Sequence, residues 1–263
     1  MKQYSEFIGK HEGEVGFVLG AGTSLFNITR HKKYKEIFNH VVVSINSSIL
    51  ATEWQEGSAE KRYWTSNDVC CLHWSYFWNN VLKSNCNKLI RDSWKHKHEE
   101  FAEHIDSFYE FSPRSGWEGA SKSINELMYG EGVKEPATEE EQDEAIKENE
   151  IGLCCISSIP SAIDFSIQAG CKKIFLLGVD HYTLGRRSHF WEFFHRTKQP
   201  FVMPGGFKAT HLMQKAMFKE NMKTYSSLDR FANKKGAQIY LCNPKSKVEC
   251  YQKIDFDDIF GLI

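Results

Sequence analysis

Five short apolar runs in the chain share one property: each breaks off directly into small or polar residues. They are VGFVLG at 15–20, before Ala21-Gly22-Thr23-Ser24; VVVSI at 41–45, before Asn46-Ser47-Ser48; and RYWTS at 62–66, before Asn67-Asp68. Two more are KIFLLGV at 173–179, before Asp180-His181-Tyr182, and AQIYLC at 237–242, before Asn243-Pro244. Runs this short, bounded by glycine and asparagine, read as strands buried on both faces, as parallel sheets require. In open α/β sheets ligands sit beyond the carboxyl ends of the strands. The repetition therefore predicts a Rossmann-like α/β domain with a mainly parallel sheet, helices on both faces, and a site along its carboxyl edge.

Helical patterns fill the gaps between the runs. Residues 159–169 (IPSAIDFSIQA) carry an early proline, apolar residues at helical spacing, and Gly170 as a stop. Residues 212–234 repeat apolar residues from Leu212 to Phe231 and end before Gly236. The stretch 70–150 breaks the alternation and is expected to be an insertion or lid, helical over part of 70–110. Its last part, 130–150, is acidic and nearly free of large apolar side chains, so it reads as an exposed lid or a plain solvated loop. With no internal repeat, 1–263 is expected to be a single domain with this insertion.

Composition removes several function classes. The 41% hydrophobic and 14% aromatic content supports a packed core rather than a disordered chain. A net charge of -1 gives no support to non-specific nucleic-acid or membrane-surface binding, while leaving room for a local basic patch. No apolar run approaches the roughly 20 residues that span a bilayer. MKQYSEFIGKHEGE lacks the apolar segment of a secretory signal, so a cytoplasmic chain is expected. The eight cysteines include two adjacent pairs and no CxxC, as expected of reduced, mostly buried thiols. Assembly into a homo-oligomer stays open.

The first run opens onto Gly20-Ala21-Gly22-Thr23-Ser24. A GxG turn and two hydroxyls present backbone N–H groups and Oγ donors at one point, a common form of anion nest. Leu25 stands where the dinucleotide fingerprint needs a third glycine, and no GK[ST] follows. The dinucleotide and P-loop readings therefore both fail, leaving a mononucleotide loop or a structural strand–turn. Asn46 and Asn67 follow the next two strands. Their amides suit a base edge or a ribose hydroxyl, and equally a helix cap or a turn.

The stretch SSIPSAIDFSIQAGCKKIFLLGVDHY, 157–182, resembles the bacterial CMP-sialic-acid-dependent sialyltransferases. In that family a Ser-Gly turn opens a helix of small and apolar residues, and a strand ends in Gly-(Ile/Val)-Asp-x-Tyr. The GAGTS loop, the two asparagines and AQIYLCNPKSKV near the C-terminus follow the same layout. The resemblance covers about 15–68 and 150–250 and extends to a wider group in phage and bacterial genomes. That group is related to motility-associated glycosyltransferases and a hydroxymethylpterin pyrophosphokinase, and its members often carry a His-x-Trp pair, here His189-Phe190-Trp191.

The resemblance implies that Gly20, Gly22, Thr23 and Ser24 approach the nucleotide phosphate and ribose, and that Asn46 and Asn67 hold the base or donor sugar. Ala21, Ser157, Gly178 and His181 lie in the same turns and join them as nucleotide-binding candidates. Ser158 falls near the donor's carboxylate, beside Ile159 where the family has glycine. Tyr182 matches a tyrosine that steadies the departing phosphate, whereas Ser188 and His189 stand where a second tyrosine would be. Lys219 occupies the ungapped position of the general-base histidine, and His211 is the nearest histidine. The nucleotide-activated sugar, a CMP-sugar favoured, would be a co-substrate, with no resident cofactor and an acceptor (glycan, nucleic-acid base or protein) that the sequence does not name.

The chemistry is intelligible from the residues themselves. Inverting glycosyl transfer needs a base for the acceptor proton and stabilisation of the leaving phosphate. His181, His189, His195 and His211 are candidate bases, and Asp180 and Tyr182 complete the catalytic set. Arg186, Arg187 and Arg196 could meet a phosphate or carboxylate. Asp180 with His189 and His195 lacks a recognised metal spacing, so no metal site is expected. RDSWKHKH at 91–98 could face an anionic acceptor or be a solvated helix face. An ATP-dependent pyrophosphokinase and a non-catalytic nucleotide-binding module remain as alternatives; metal dependence separates the first from glycosyl transfer, and lack of turnover the second.

Overall fold

The computed structural model describes residues 2–54, 58–67, 75–91, 108–111, 157–181, 189–193 and 211–263. Among the described residues, nine strands form one sheet: β1 (Lys2–Gln3), β2 (Val15–Leu19), β3 (Val41–Ile45), β4 (Arg62–Ser66), β5 (Asn87–Arg91), β6 (Phe108–Phe111), β7 (Lys173–Leu177), β8 (Gln238–Leu241) and β9 (Gln252–Lys253). Their order is β1-β6-β5-β4-β3-β2-β7-β8-β9, and every ladder is parallel. From β2 the chain builds outward through β3 to β6, then returns to the other side of β2 with β7. The strand order therefore reverses between β2 and β7, which is where this architecture opens a ligand crevice.

The strands are buried because their side chains alternate between two cores. On β3, Val41, Val43 and Ile45 enter one core while Val42 enters the other. On β7, Ile174 and Leu176 face the first core, and Phe175 and Leu177 the second. Helices α3 (Ser158–Gln168) and α4 (His211–Lys234) cover the first face with Ala162, Ile163, Phe165, Tyr225, Leu228 and Phe231. Helices α1 (Leu25–Ile28) and α2 (Ser75–Lys83) and several 3₁₀ turns cover the second with Leu25, Ile28, Phe77, Trp78 and Ile49. Burying each such aliphatic side chain contributes about 1.5–3 kcal/mol. No helix among the described residues is long and apolar enough to cross a membrane.

Helix α3 is the tightest element. Ser157, in extended conformation, caps it by accepting from the Ile159 N–H at 3.4 Å, and Pro160 sits in the first turn. Small residues at Ser161, Ala162 and Ser166 let it lie close to the sheet, and all of its residues but Ile159 are buried. At its end, carbonyls of Gln168, Ala169 and Gly170 accept from the N–H groups of Gly9, His11 and Gly13. The N-terminal segment thus satisfies groups that a buried helix end would leave orphaned.

The predicted strands and both predicted helices are present within two residues of their expected limits. Within 70–150, the described residues 75–91 and 108–111 form α2 and two strands, β5 and β6, that continue the sheet. The acidic 130–150 and the basic 91–98, apart from Arg91 at the end of β5, lie outside the described residues.

The central strands end in direct backbone contact. Gly20 N–H donates to Leu177 O at 2.7 Å and Gly22 N–H to Gly178 O at 2.8 Å. A Cβ on Gly22 would come within 2.6 Å of both Gly178 O and the Asp180 carboxylate, and one on Gly20 would overlap the Gly178 carbonyl. Gly20→Ala is therefore expected to lower stability by about 3 kcal/mol. Gly261→Ala, where a Cβ meets nothing within 4 Å, should fall within about 0.5 kcal/mol of wild type. Denaturant midpoints of the two variants check this pair of expectations.

Candidate functional site

The carboxyl ends of β2, β3, β4 and β7 place most of the predicted site residues along one edge. At the centre, Asp180 is 2% exposed. Its carboxylate accepts from Thr23 Oγ1 at 3.1 Å, Ser24 N–H at 2.7 Å, Ser24 Oγ at 2.5 Å and Asn243 Nδ2 at 2.7 Å. A buried carboxylate with no cation against it would be costly, and four donors replace the lost water. The hydroxyls expected to meet a phosphate thus hold Asp180. Among the described residues, the N–H groups of Ala21 and Thr23 have no hydrogen-bond partner.

The second group lies beyond β3 and β4. Asn46 takes a left-handed conformation, φ +46°, which asparagine tolerates better than most residues. Its Oδ1 accepts from Ser158 Oγ at 3.1 Å, while its carbonyl accepts from Trp64 Nε1 at 2.9 Å. Asn67 N–H donates to the same Ser158 Oγ at 2.9 Å, and its Nδ2 donates to Ser157 O at 3.1 Å and Ser161 Oγ at 2.7 Å. Residues 46, 67 and 157–158, far apart in sequence, meet at the first turn of α3, whose N-terminal dipole end points into the same edge. Beneath them, the Ser48 hydroxyl ties Leu19 O and Ile45 O together, locking the ends of β2 and β3.

The third group flanks the β2 loop. Phe190 N–H donates to Ala21 O at 3.0 Å, fixing the 3₁₀ turn Phe190–Phe193 beside that loop. Phe193 stacks on Phe26 of α1 with ring centroids 4.3 Å apart. His189 stacks on Trp191 and places Nδ1 3.1 Å from Glu192 Oε1. Its side chain is 39% exposed, so it faces the solvent side of the edge.

His181, φ +54°, turns inward instead, its Nε2 2.8 Å from Tyr225 Oη and its ring against Phe218. Burial lowers its pKa to about 4, outweighing the Asp180 charge that raises it, so the imidazole is neutral at pH 7. This placement suits a hydrogen-bonded wall residue, not a base. Gly178, φ +70°, bends the chain between β7 and Asp180.

Tyr182, Ser188, His195, Arg186, Arg187 and Arg196 lie outside the described residues, as does the His211 side chain, although His211 opens α4. Among the described residues no group of three or more His, Cys, Asp or Glu is placed to hold a metal ion. Cys86, Cys171 and Cys242 are buried free thiols, and Cys250 is half-buried. Two residues of this edge were not singled out as site candidates in the sequence: Asn243 and Tyr225. Asn243 carried the same signal as Asn46 and Asn67, an asparagine directly after a strand. Tyr225 lies within a helix and carried none.

No family model matches the chain, and no curated protein sequence does. Among solved structures, the chain is similar to the monofunctional α-2,3-sialyltransferase Cst-I from Campylobacter jejuni, at 15% identity and a TM-score of 0.44, over 91% of this chain and 79% of that one. It is similar to the Campylobacter jejuni sialyltransferase CstII, in complex with cytidine-5'-monophosphate, at 13% identity and a TM-score of 0.44, over 92% and 85%. It is also similar to the MAf glycosyltransferase from Magnetospirillum magneticum, at 10% identity and a TM-score of 0.46, over 95% of this chain and 37% of that one.

Two outcomes are expected from this geometry. Asp180→Ala strands its four donors and should cost about 3 kcal/mol or more, with Asp180→Asn milder because one acceptor oxygen survives; chemical denaturation reads the difference. The second concerns pH. The His181 pKa is lowered in the folded state, so between about 6.5 and about 4 the unfolded chain binds the extra proton and stability falls with pH. His181→Asn, which tolerates the left-handed backbone, should reduce that acid-side loss, as unfolding midpoints from pH 7 to 4 would show.

Proposed function

We propose that this edge binds a nucleotide-activated sugar, a CMP-sugar favoured, and that the chain is an inverting glycosyltransferase acting without a metal. The observation that carries the reading is the meeting of Asn46, Asn67 and Ser158 beside the glycine loop at the carboxyl edge. Held in place by Asn67 and Ser158, Asn46 keeps, among the described residues, its Nδ2 donor and a second Oδ1 lone pair for a pyrimidine edge or ribose. Asp180 lies under the glycine loop with its carboxylate already shared among four donors. Acting through that loop, it is a positioning residue. A fixed negative charge there favours ribose hydroxyls over phosphate at the loop, and directs the phosphate toward the N-terminus of α3.

In the transfer step, the acceptor hydroxyl attacks the anomeric carbon as the bond to the nucleotide phosphate breaks. A base takes the hydroxyl proton, and the phosphate departs with the bonding pair as the nucleotide monophosphate. His189 is suited to be the base: with Nδ1–H donating to Glu192, Nε2 is the proton-accepting nitrogen. His211 is the other candidate, and Tyr182 is assigned to the leaving phosphate. Calorimetry with CMP, UDP and GDP tests the donor; binding of CMP over the other two is expected, and binding of none overturns the reading. His189→Ala should lower kcat by about 10²–10⁴-fold with CMP affinity unchanged, in chelator as without it. The same loss in His211→Ala alone would move the base to α4, and loss of turnover in chelator would overturn the metal-free mechanism.

A further inference from the structure

A second concavity opens next to His181. It is a cleft of about 550 Å³ between α4 and the loop that follows β8, within the size range of small-ligand sites. One wall is Phe218, Met222 and Ser226, successive residues on one face of α4. The other includes Lys247 and Glu249. Between those two, Val248 is fully buried while both neighbours are exposed, so a cation and an anion flank the cleft with an anchored residue between them. Neither makes an ion pair with the other or with any described residue.

This cleft shares a wall with the candidate site. The Phe218 ring packs on His181 at 5.6 Å, and Lys247 N–H donates to Asp180 O at 3.1 Å. The Ser246 hydroxyl donates to Val179 O at 2.7 Å, fixing the loop to the end of β7. The loop wall of the cleft is therefore tied to the segment just after β7 that carries Asp180.

An apolar floor flanked by two unneutralised opposite charges is complementary to a ligand that carries both charges itself. We propose that the cleft is a subsite for a zwitterionic group, its ammonium toward Glu249, its oxyanion toward Lys247, and its carbon skeleton against Phe218 and Met222. Resting on the glycosyl-transfer reading, this group is the handle by which a hydroxyl-bearing acceptor is held beside the donor. An amino acid and a phosphoethanolamine group share this chemistry.

Calorimetry of the full chain with L-leucine, O-phosphoethanolamine and neutral methyl β-galactoside separates the cases. Binding of either zwitterion and not of the galactoside is expected, and which one binds tells carboxylate from phosphate. Lys247→Ala and Glu249→Ala should each weaken that binding about ten-fold and leave CMP affinity unchanged. Equal binding of the galactoside, binding of none of the three, or indifference to both substitutions overturns the subsite. If a zwitterion binds but CMP does not, the subsite stands and the glycosyl-transfer reading falls; if CMP binds and neither zwitterion does, the subsite alone falls.

Discussion

The contact between the ends of β2 and β7 organises everything at the carboxyl edge. Two N–H···O bonds, from Gly20 and Gly22 to Leu177 and Gly178, close the point where the strand order reverses. They form only because no Cβ intervenes. The closure places Thr23 and Ser24 over the end of β7, where Asp180 accepts from both. Asn243 brings the end of β8 to the same carboxylate, so three strand ends are tied through one charged group.

That closure changes what the glycine loop is for. A GxG turn after a strand suggests N–H groups aimed at a phosphate, but the Gly20 and Gly22 N–H groups are directed at β7. The glycines serve a backbone-to-backbone approach inside the sheet. The feature that marks a nucleotide loop in sequence is here first a packing device, and any ligand contact is made by what the crossing leaves over, Ala21 and Thr23. Electrostatics agree: a carboxylate beneath the loop makes it a poorer anion nest than its sequence suggests.

Much of the sheet was legible because double burial leaves a plain trace in parallel strands. VVVSI is buried at every position, and so is most of KIFLL. β5 and β6 were not legible, and β5 shows why. NKLIR has two apolar residues, and its Lys88 is buried with the ammonium bonded to the Ser84 and Cys86 carbonyls. A lysine satisfied by backbone carbonyls looks like a surface residue to any hydropathy argument. β1 and β9, two residues each, are defined by partners distant in sequence and not by composition. For the site, strand-end position was informative: it brought Asn46, Asn67 and Asp180 to one edge, and only hydrogen-bond geometry separated their roles. Neither the inward turn of His181 nor its Tyr225 partner could be read from a chain in which four histidines crowd one stretch.

The two sides of the β7 end differ in how their polar groups are satisfied. Toward β3 and β4, the groups are neutral amides and hydroxyls already engaged with one another, which fixes their orientation before any ligand arrives. Preorganised dipoles lose little on binding and discriminate by geometry. Toward β8, Lys247 and Glu249 are exposed, charged and without an ion pair among the described residues, and they gain most from a charged ligand. Between them His181, kept neutral by burial, forms a partition that carries no charge at pH 7. A rigid neutral half suits a ligand whose identity is fixed, and an open charged half suits one recognised by its ends. On the proposed reading, the donor, which must be placed to within fractions of an ångström, fits the first side, and an acceptor captured by a peripheral handle fits the second.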